Sequence, residues 1–146
     1  MKVSYLNQDD FKIDTKFFGS YLKKLEKQTR LGAGELNVVF VNDPYIRALN
    51  KAYRGKDQPT DVLSFNYDYD QGDQGIMGEV YISVETAKRQ AGEHKLTLDQ
   101  ELAKLLVHGV LHVHGFDHEE DEDYKKMYAV EKEVLGEVAG PMIMGE

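Results

Sequence analysis

Cysteine is absent from the 146 residues. That excludes a disulfide framework and any thiolate metal site, so a bound metal would rest on histidine and carboxylate. Long apolar runs are missing too, and none approaches the roughly 18 residues of a transmembrane helix. The opening Met-Lys-Val-Ser-Tyr-Leu-Asn-Gln-Asp-Asp carries no apolar signal-peptide core, so the expectation is an intracellular, cytoplasmic protein without membrane attachment. Proline is scarce, with 3 in all, and neither a Pro- or Ser-rich linker nor an internal repeat divides the chain. Residues 1–146 therefore read as one domain. A chain of this length buries roughly 68–70% of its unfolded surface, and a hydrophobic share of 41% with 30% charged residues suits a folded, soluble protein.

Basic residues are the minority, 18 Lys and Arg against 26 Asp and Glu, for a formal net charge of −8. The average hides an asymmetry. Residues 1–60 hold 11 Lys and Arg against 7 Asp and Glu, whereas residues 61–146 hold 7 against 19. A basic first part attracts phosphate, while an acidic second part holds cations or stays clear of a polyanion. Chance drift of surface charge gives the same pattern, so charge alone leaves the partner open.

What is present is an alternation of strands and helices. Residues 2–6 read as a short strand. Asp14 or Thr15 caps a helix to about Arg30, since Phe17, Phe18, Tyr21, Leu22 and Leu25 recur at helical spacing. Glu35 to Asn42 is rich in β-branched residues and strand-like, and Asp43-Pro44 opens a second helix through Ala52. Val62 to Tyr67 and Met77 to Ser83 read as strands flanking a turn-rich loop. Ser83 or Glu85 then starts a helix to about His94. Thr97-Leu-Asp-Gln100 has the form of a capping box. The helix behind it, with Leu102, Ala103, Leu105, Leu106, Val107, Val110, Leu111 and Val113, has almost no polar face and so belongs in the middle of the molecule. Gly115 ends it, and a last helix, acidic at its start, runs to about Leu135. The fold class is α/β or α+β, with about four strands in a mixed sheet and five or so helices.

Four of the five histidines fall within eleven residues, at 108, 112, 114 and 118. His108 and His112, four apart, lie about 40° apart on one helical face, within reach of one cation. His114 lies about 240° round from His108 and points elsewhere. Gly115 lets the chain turn, so that His118 approaches the same point from a loop. Three neutral imidazoles with one open position are the arrangement of a catalytic zinc ion, whereas structural zinc sites close all four positions. The competing reading, ordinary buried histidines, needs two imidazoles side by side in an apolar helix, each with its own partner. One metal satisfies both. Nickel or copper suits the same donors, and the spacing does not say which group takes the other ring N–H of each ligand. His94 and His114 are not expected to be ligands.

The same spacing overlays the metzincin peptidase pattern, H-E-x-x-H-x-x-G-x-x-H, except that Gly109 stands where a peptidase has its general base. The ligand geometry survives that change and amide hydrolysis loses its base.

Three segments together resemble the YbeY-type endoribonucleases. His108-Gly-x-Leu-His112-x-x-Gly-x-Asp-His118 is similar to that family's metal signature, and Tyr53-Arg54-Gly-Lys-Asp57-x-Pro59-Thr60-Asp61-Val62-Leu63-Ser64-Phe65 to its second signature. Gly78-Glu79-Val80-Tyr81-Ile82-Ser83 resembles its Gly-Asp-Ile-x-Ile-Ser strand. Two positions depart from the pattern: Asn66 replaces the usual proline, and Glu79 the commoner aspartate. The resemblance implies a zincin-like fold with the metal site on the central buried helix, and one zinc ion held by His108, His112 and His118. It also implies an active-site role for Arg54. The implied activity is a zinc-dependent endoribonuclease that matures the 3′ end of small-subunit ribosomal RNA and serves ribosome quality control.

Residue chemistry supports this in part. Three imidazoles on zinc lower the pKa of a bound water towards about 7, which suits esters, amides and phosphodiesters alike. A guanidinium matches phosphate oxygens bidentately, and Arg54 sits in the basic part beside Lys51 and Lys56. Taken alone, Arg54 reads as a surface arginine in a loop, and the resemblance reverses that reading. Asp57, Thr60 and Asp61 are expected to brace the turn at Pro59, and Ser64 has no base placed beside it. Tyr67, Tyr69 and Phe116 are candidates to stack on unpaired bases, whereas Phe17, Phe18, Phe40 and Phe65 are expected in the core. The partners implied are single-stranded ribosomal RNA and the small ribosomal subunit, not DNA. Two other readings remain open: a ribosome-associated binding module whose zinc stabilises the fold, and a metallopeptidase.

Overall fold

The computed structural model describes residues 1–29, 34–67, 76–114 and 121–140, with backbone alone for residues 76, 77 and 121–124. Strands β1 (Lys2–Asn7), β2 (Glu35–Val41), β3 (Val62–Asn66) and β4 (Ile76–Ser83) form one sheet in the order β1-β2-β4-β3. β1, β2 and β4 run parallel, and β3 closes one edge antiparallel to β4. Among the described residues the sheet is joined by helices α1 (Gly19–Thr29), α2 (Asp43–Arg54), α3 (Val84–His94), α4 (Leu98–Val113) and α5 (Asp121–Leu135), with short 3-10 turns at Thr15–Phe18 and Gly136–Ala139. The four-stranded mixed sheet and five helices are those expected from the sequence.

Local chemistry sets the boundaries. The Asn42 side chain caps α2 by accepting from the Tyr45 amide at 2.9 Å, with Pro44 in the first turn. At the other end Gly55 adopts φ 71°, the left-handed stop that glycine takes at little cost. α2 thus runs two residues beyond Ala52 and carries Tyr53 and Arg54 on its final turn. The capping box at Thr97 and Gln100 forms in both directions, at 3.1 and 3.0 Å. The helix expected from residue 14 or 15 starts instead as a 3-10 turn, with Asp14 accepting from the Lys16 amide. Such tightening is common at helix starts, and here Phe18 is anchored between the rings of Tyr5 and Phe40 at 6.0 and 6.2 Å.

Strand alternation divides the interior in two. Val38, Phe40, Val62, Val80 and Ile82 face a large core with α4 at its centre. Val39, Val41 and Leu63 face a smaller core under Ile46 of α2. Each fully buried leucine or valine contributes about 1.5–3 kcal/mol, and α4 buries Leu102, Leu105, Leu106, Val107, Val110, Leu111 and Val113. Two glycines allow α4 to sit so close to the sheet. A Cβ on Gly109 would stand 2.6 Å from Val80 Cγ1, and one on Gly78 would meet Val113 at 2.6 Å. Chemistry carried by α4 is therefore held against a stiff support.

Candidate functional site

His108 and His112 lie one turn apart near the end of α4. Their rings are 4.7 Å apart at 66°, and their Nε2 atoms are separated by 3.2 Å. Two nitrogens each 2.0–2.1 Å from a tetrahedral zinc ion would lie roughly 3.3–3.4 Å apart. The pair therefore has the spacing of two ligands on one ion, and in a metal-free chain the same distance suits an N–H···N hydrogen bond. His108 is only 2% exposed.

What turns the imidazole of His108 towards that point is a residue the sequence did not single out. Glu131, on α5 and 4% exposed, stands with Oε1 2.6 Å from His108 Nδ1. A carboxylate there makes Nδ1 the protonated donor and leaves Nε2 with its lone pair towards His112, the tautomer a metal ligand needs. α5 is fixed for this by Met127, Val134 and Leu135, all buried. The only advance signal was spacing, since Met127, Glu131, Val134 and Leu135 share one helical stripe in which Glu131 is the polar member.

The other histidines go elsewhere. His114 ends α4 and folds back on it, its Nδ1–H donating to the Val110 carbonyl at 2.8 Å. Burial pushes its imidazole below the ordinary range. His94, at the end of α3, meets the buried Glu101 at 2.7 Å. His118 and Gly115 lie outside the described residues, as do Tyr69 and Phe116. Among the described residues there is no group of three or more His, Cys, Asp or Glu side chains able to hold a metal ion.

Position 109 faces the sheet. A side chain there would run into Val80 and the Ser64 hydroxyl, so the fold has no room for a glutamate where a peptidase carries its base. Ser64 Oγ is itself buried without a hydrogen-bond partner among the described residues, consistent with the absence of a base beside it.

Arg54 ends α2, exposed, with Lys51 and Lys56 exposed beside it. No carboxylate neutralises Arg54 among the described residues. Asp57 instead takes Arg47 at 2.8 Å, and that guanidinium holds its carboxyl below the usual range. Asp61 braces the chain as expected, accepting from the Val62 amide at 2.8 Å and the Thr60 hydroxyl at 3.3 Å. Asn50 adds to this by donating to the Gln58 carbonyl at 2.8 Å. At the far end of β3, Asn66 donates its amide to the Val113 carbonyl at 2.5 Å and ties the strand to the last turn of α4. A proline at this position has no such donor. Glu79 accepts from the hydroxyls of Tyr67 at 2.5 Å and Tyr81 at 3.3 Å. Burial, with Glu79 and Tyr45 nearby, pushes Tyr81 up to about 12. Phe65, expected in the core, is only half-buried and packs edge-on to Tyr53 and Tyr81.

A family model described as Endoribonuclease YbeY matches residues 4–139. Curated relatives of that name include one from Pelotomaculum thermopropionicum, 50% identical over 107 residues, covering 70% of each chain. Another, from Acholeplasma laidlawii, is 38% identical over 135 residues, covering 92% of this chain and 95% of its own. The solution structure of TM1509 from Thermotoga maritima superposes with a TM-score of 0.62 at 32% identity, over 94% of this chain and 89% of the other.

Proposed function

The chain belongs to the Endoribonuclease YbeY family, and from that premise we propose that it is a metal-dependent endoribonuclease acting on single-stranded RNA. The observation that carries the metal is the His108–His112 pair, with Nε2 atoms 3.2 Å apart and the far nitrogen of His108 held by Glu131. His108 and His112 would hold one zinc ion together with His118. When bound, the ion supplies a water activated at neutral pH and a Lewis acid for a phosphoryl oxygen.

The chain's own residues do the remainder. Glu131 keeps His108 in the ligating tautomer. Arg54 presents a fork of donors to the non-bridging oxygens, where charge grows in the transition state of phosphodiester cleavage, and no carboxylate among the described residues competes for it. Gly109 lets α4 approach the sheet, so the pair does not drift. The substrate inferred from the family is small-subunit ribosomal RNA, matured at its 3′ end in the cytoplasm on or near the ribosome. No helix among the described residues is long and apolar enough to cross a membrane.

Metal analysis paired with a cleavage assay on a defined single-stranded RNA tests the reading, for wild type and His112→Ala. The variant should lose both metal and cleavage. A metal-replete His112→Ala protein with undiminished RNase activity would refute it.

A further inference from the structure

On the face of the sheet opposite the histidine pair, the described residues leave a row of aromatic rings partly exposed. Ser64 and Asn66 of β3 face α4, so Phe65 between them faces α2, as does Tyr81 on β4. Tyr53 lies edge-on to Phe65 at 5.1 Å, Phe65 edge-on to Tyr81 at 5.7 Å, and Tyr45 stacks on Tyr81 at 6.3 Å. Leu49, Tyr53, Phe65, Tyr67 and Tyr81 line a cleft of about 150 Å³. That is well below the ~300–1,000 Å³ of a site for a whole drug-sized ligand, so the cleft takes one planar ring system. Phe65 and Tyr81 pack on the smaller core, while Tyr53 is 68% exposed and Tyr67 36%, with Tyr45 beside the cleft 39% exposed.

Two polar features say what that ring is. Arg54 follows Tyr53 on the last turn of α2, and Lys51, Arg54 and Lys56 are exposed along the same stretch of chain, which supplies positive charge for phosphate. At the hydroxyl end of the cleft, Glu79 takes Tyr67 and Tyr81 through the same oxygen, Oε1. Oε2 meets no donor among the described residues, and a carboxylate oxygen accepts from an amino group.

We propose that this cleft is a subsite for one unpaired nucleobase of the bound RNA, stacked on Tyr53 with its edge towards Phe65 and adjoining the phosphate that Arg54 holds. Glu79 gives the subsite a preference. It accepts from the exocyclic amino group of adenine, cytosine or guanine. It disfavours uracil, whose one edge N–H is flanked by two carbonyl oxygens. The inference rests on the RNA-cleaving reading above and deepens it. β3 is the edge strand, so a strand leaving the α4 side reaches the cleft by passing that edge.

The test uses a 2′-O-methylated octaribonucleotide, which resists cleavage, carrying one 2-aminopurine whose fluorescence is quenched by stacking. Wild type and Tyr53→Phe should bind it alike and quench it. Tyr53→Ala should bind about tenfold more weakly and leave it bright. Glu79→Gln should bind oligoadenylate and oligouridylate with nearly equal affinity where wild type prefers the former. Undiminished binding and quenching by Tyr53→Ala overturns the proposal, even if that protein still cuts unmodified RNA, in which case the nuclease reading stands. Binding with quenching by a wild type that cuts no RNA overturns the nuclease reading and supports the cleft.

Discussion

Removing the carboxylate of Glu131 separates a bracing role from simple packing. In the folded chain Glu131 and His108 meet at 2.6 Å, 4% and 2% exposed. Glu131→Ala leaves a buried imidazole N–H without an acceptor, which costs about 1–3 kcal/mol. That is a sizeable part of the 5–15 kcal/mol that holds a typical domain together. Glu131→Gln keeps the volume and an acceptor oxygen but loses the charge, so its cost should be smaller. The same bond orients His108, and removing such a brace typically weakens metal binding by about 10- to 100-fold. Urea unfolding of metal-free protein reads the first effect, and competition with a zinc chelator reads the second. Wild type, Glu131→Gln and Glu131→Ala should rank in that order in both. Glu131→Ala with lowered stability but wild-type zinc affinity would refute the reasoning, because the residue would then prop the core without orienting a ligand.

Three other outcomes follow from the geometry. Gly109→Ala should destabilise the protein although alanine favours helices by about 1 kcal/mol, because its Cβ would stand 2.6 Å from the stiff Val80 side chain and overpacking costs about 1–3 kcal/mol; a rise in thermal midpoint would contradict this. Arg54→Ala should keep the fold and its metal, since Arg54 is exposed, while kcat/KM falls by about 100-fold or more, as for loss of one transition-state donor; parallel loss of metal would assign it a structural role. At Asp43, burial raises the carboxyl, and the hydroxyls of Ser83 and Thr86 with Arg89 outweigh that, leaving it below its ordinary 3.8. A depressed carboxylate stabilises the fold above the unfolded-state value and loses that contribution as pH falls through the folded one. The stability gap between wild type and Asp43→Asn should therefore narrow in acid, and an equal gap at neutral and acid pH would contradict the network.

Elements defined by near neighbours in sequence were legible. The capping box at Thr97, the apolar circumference of α4 and the one-turn step from His108 to His112 are local patterns, and each has its structural counterpart. Glu131 was not legible as a partner, because its contact with His108 joins residues 23 apart across two helices. Spacing on one helix says nothing of what packs against it. Of the aromatic cleft, the sequence singled out Tyr67 as a base-stacking candidate but not its neighbours, for the same reason. Tyr53, Phe65 and Tyr81 come from three elements, and only the antiparallel pairing of β3 with β4 beside the last turn of α2 brings them together. Phe65 was expected in the core, yet among the described residues its face of the sheet is covered by one helix, α2, that stops at Gly55. Gly109 was legible as the loss of a peptidase base, but the reason for a glycine there, contact with Val80, belongs to tertiary packing.

Zinc K-edge X-ray absorption on the reconstituted, unchelated protein tests the central claim most directly. One ion per chain, with three imidazole nitrogens at about 2.0–2.1 Å and one of them lost in His112→Ala, is the predicted result. A substoichiometric ion, or a spectrum unchanged by that substitution, would contradict it.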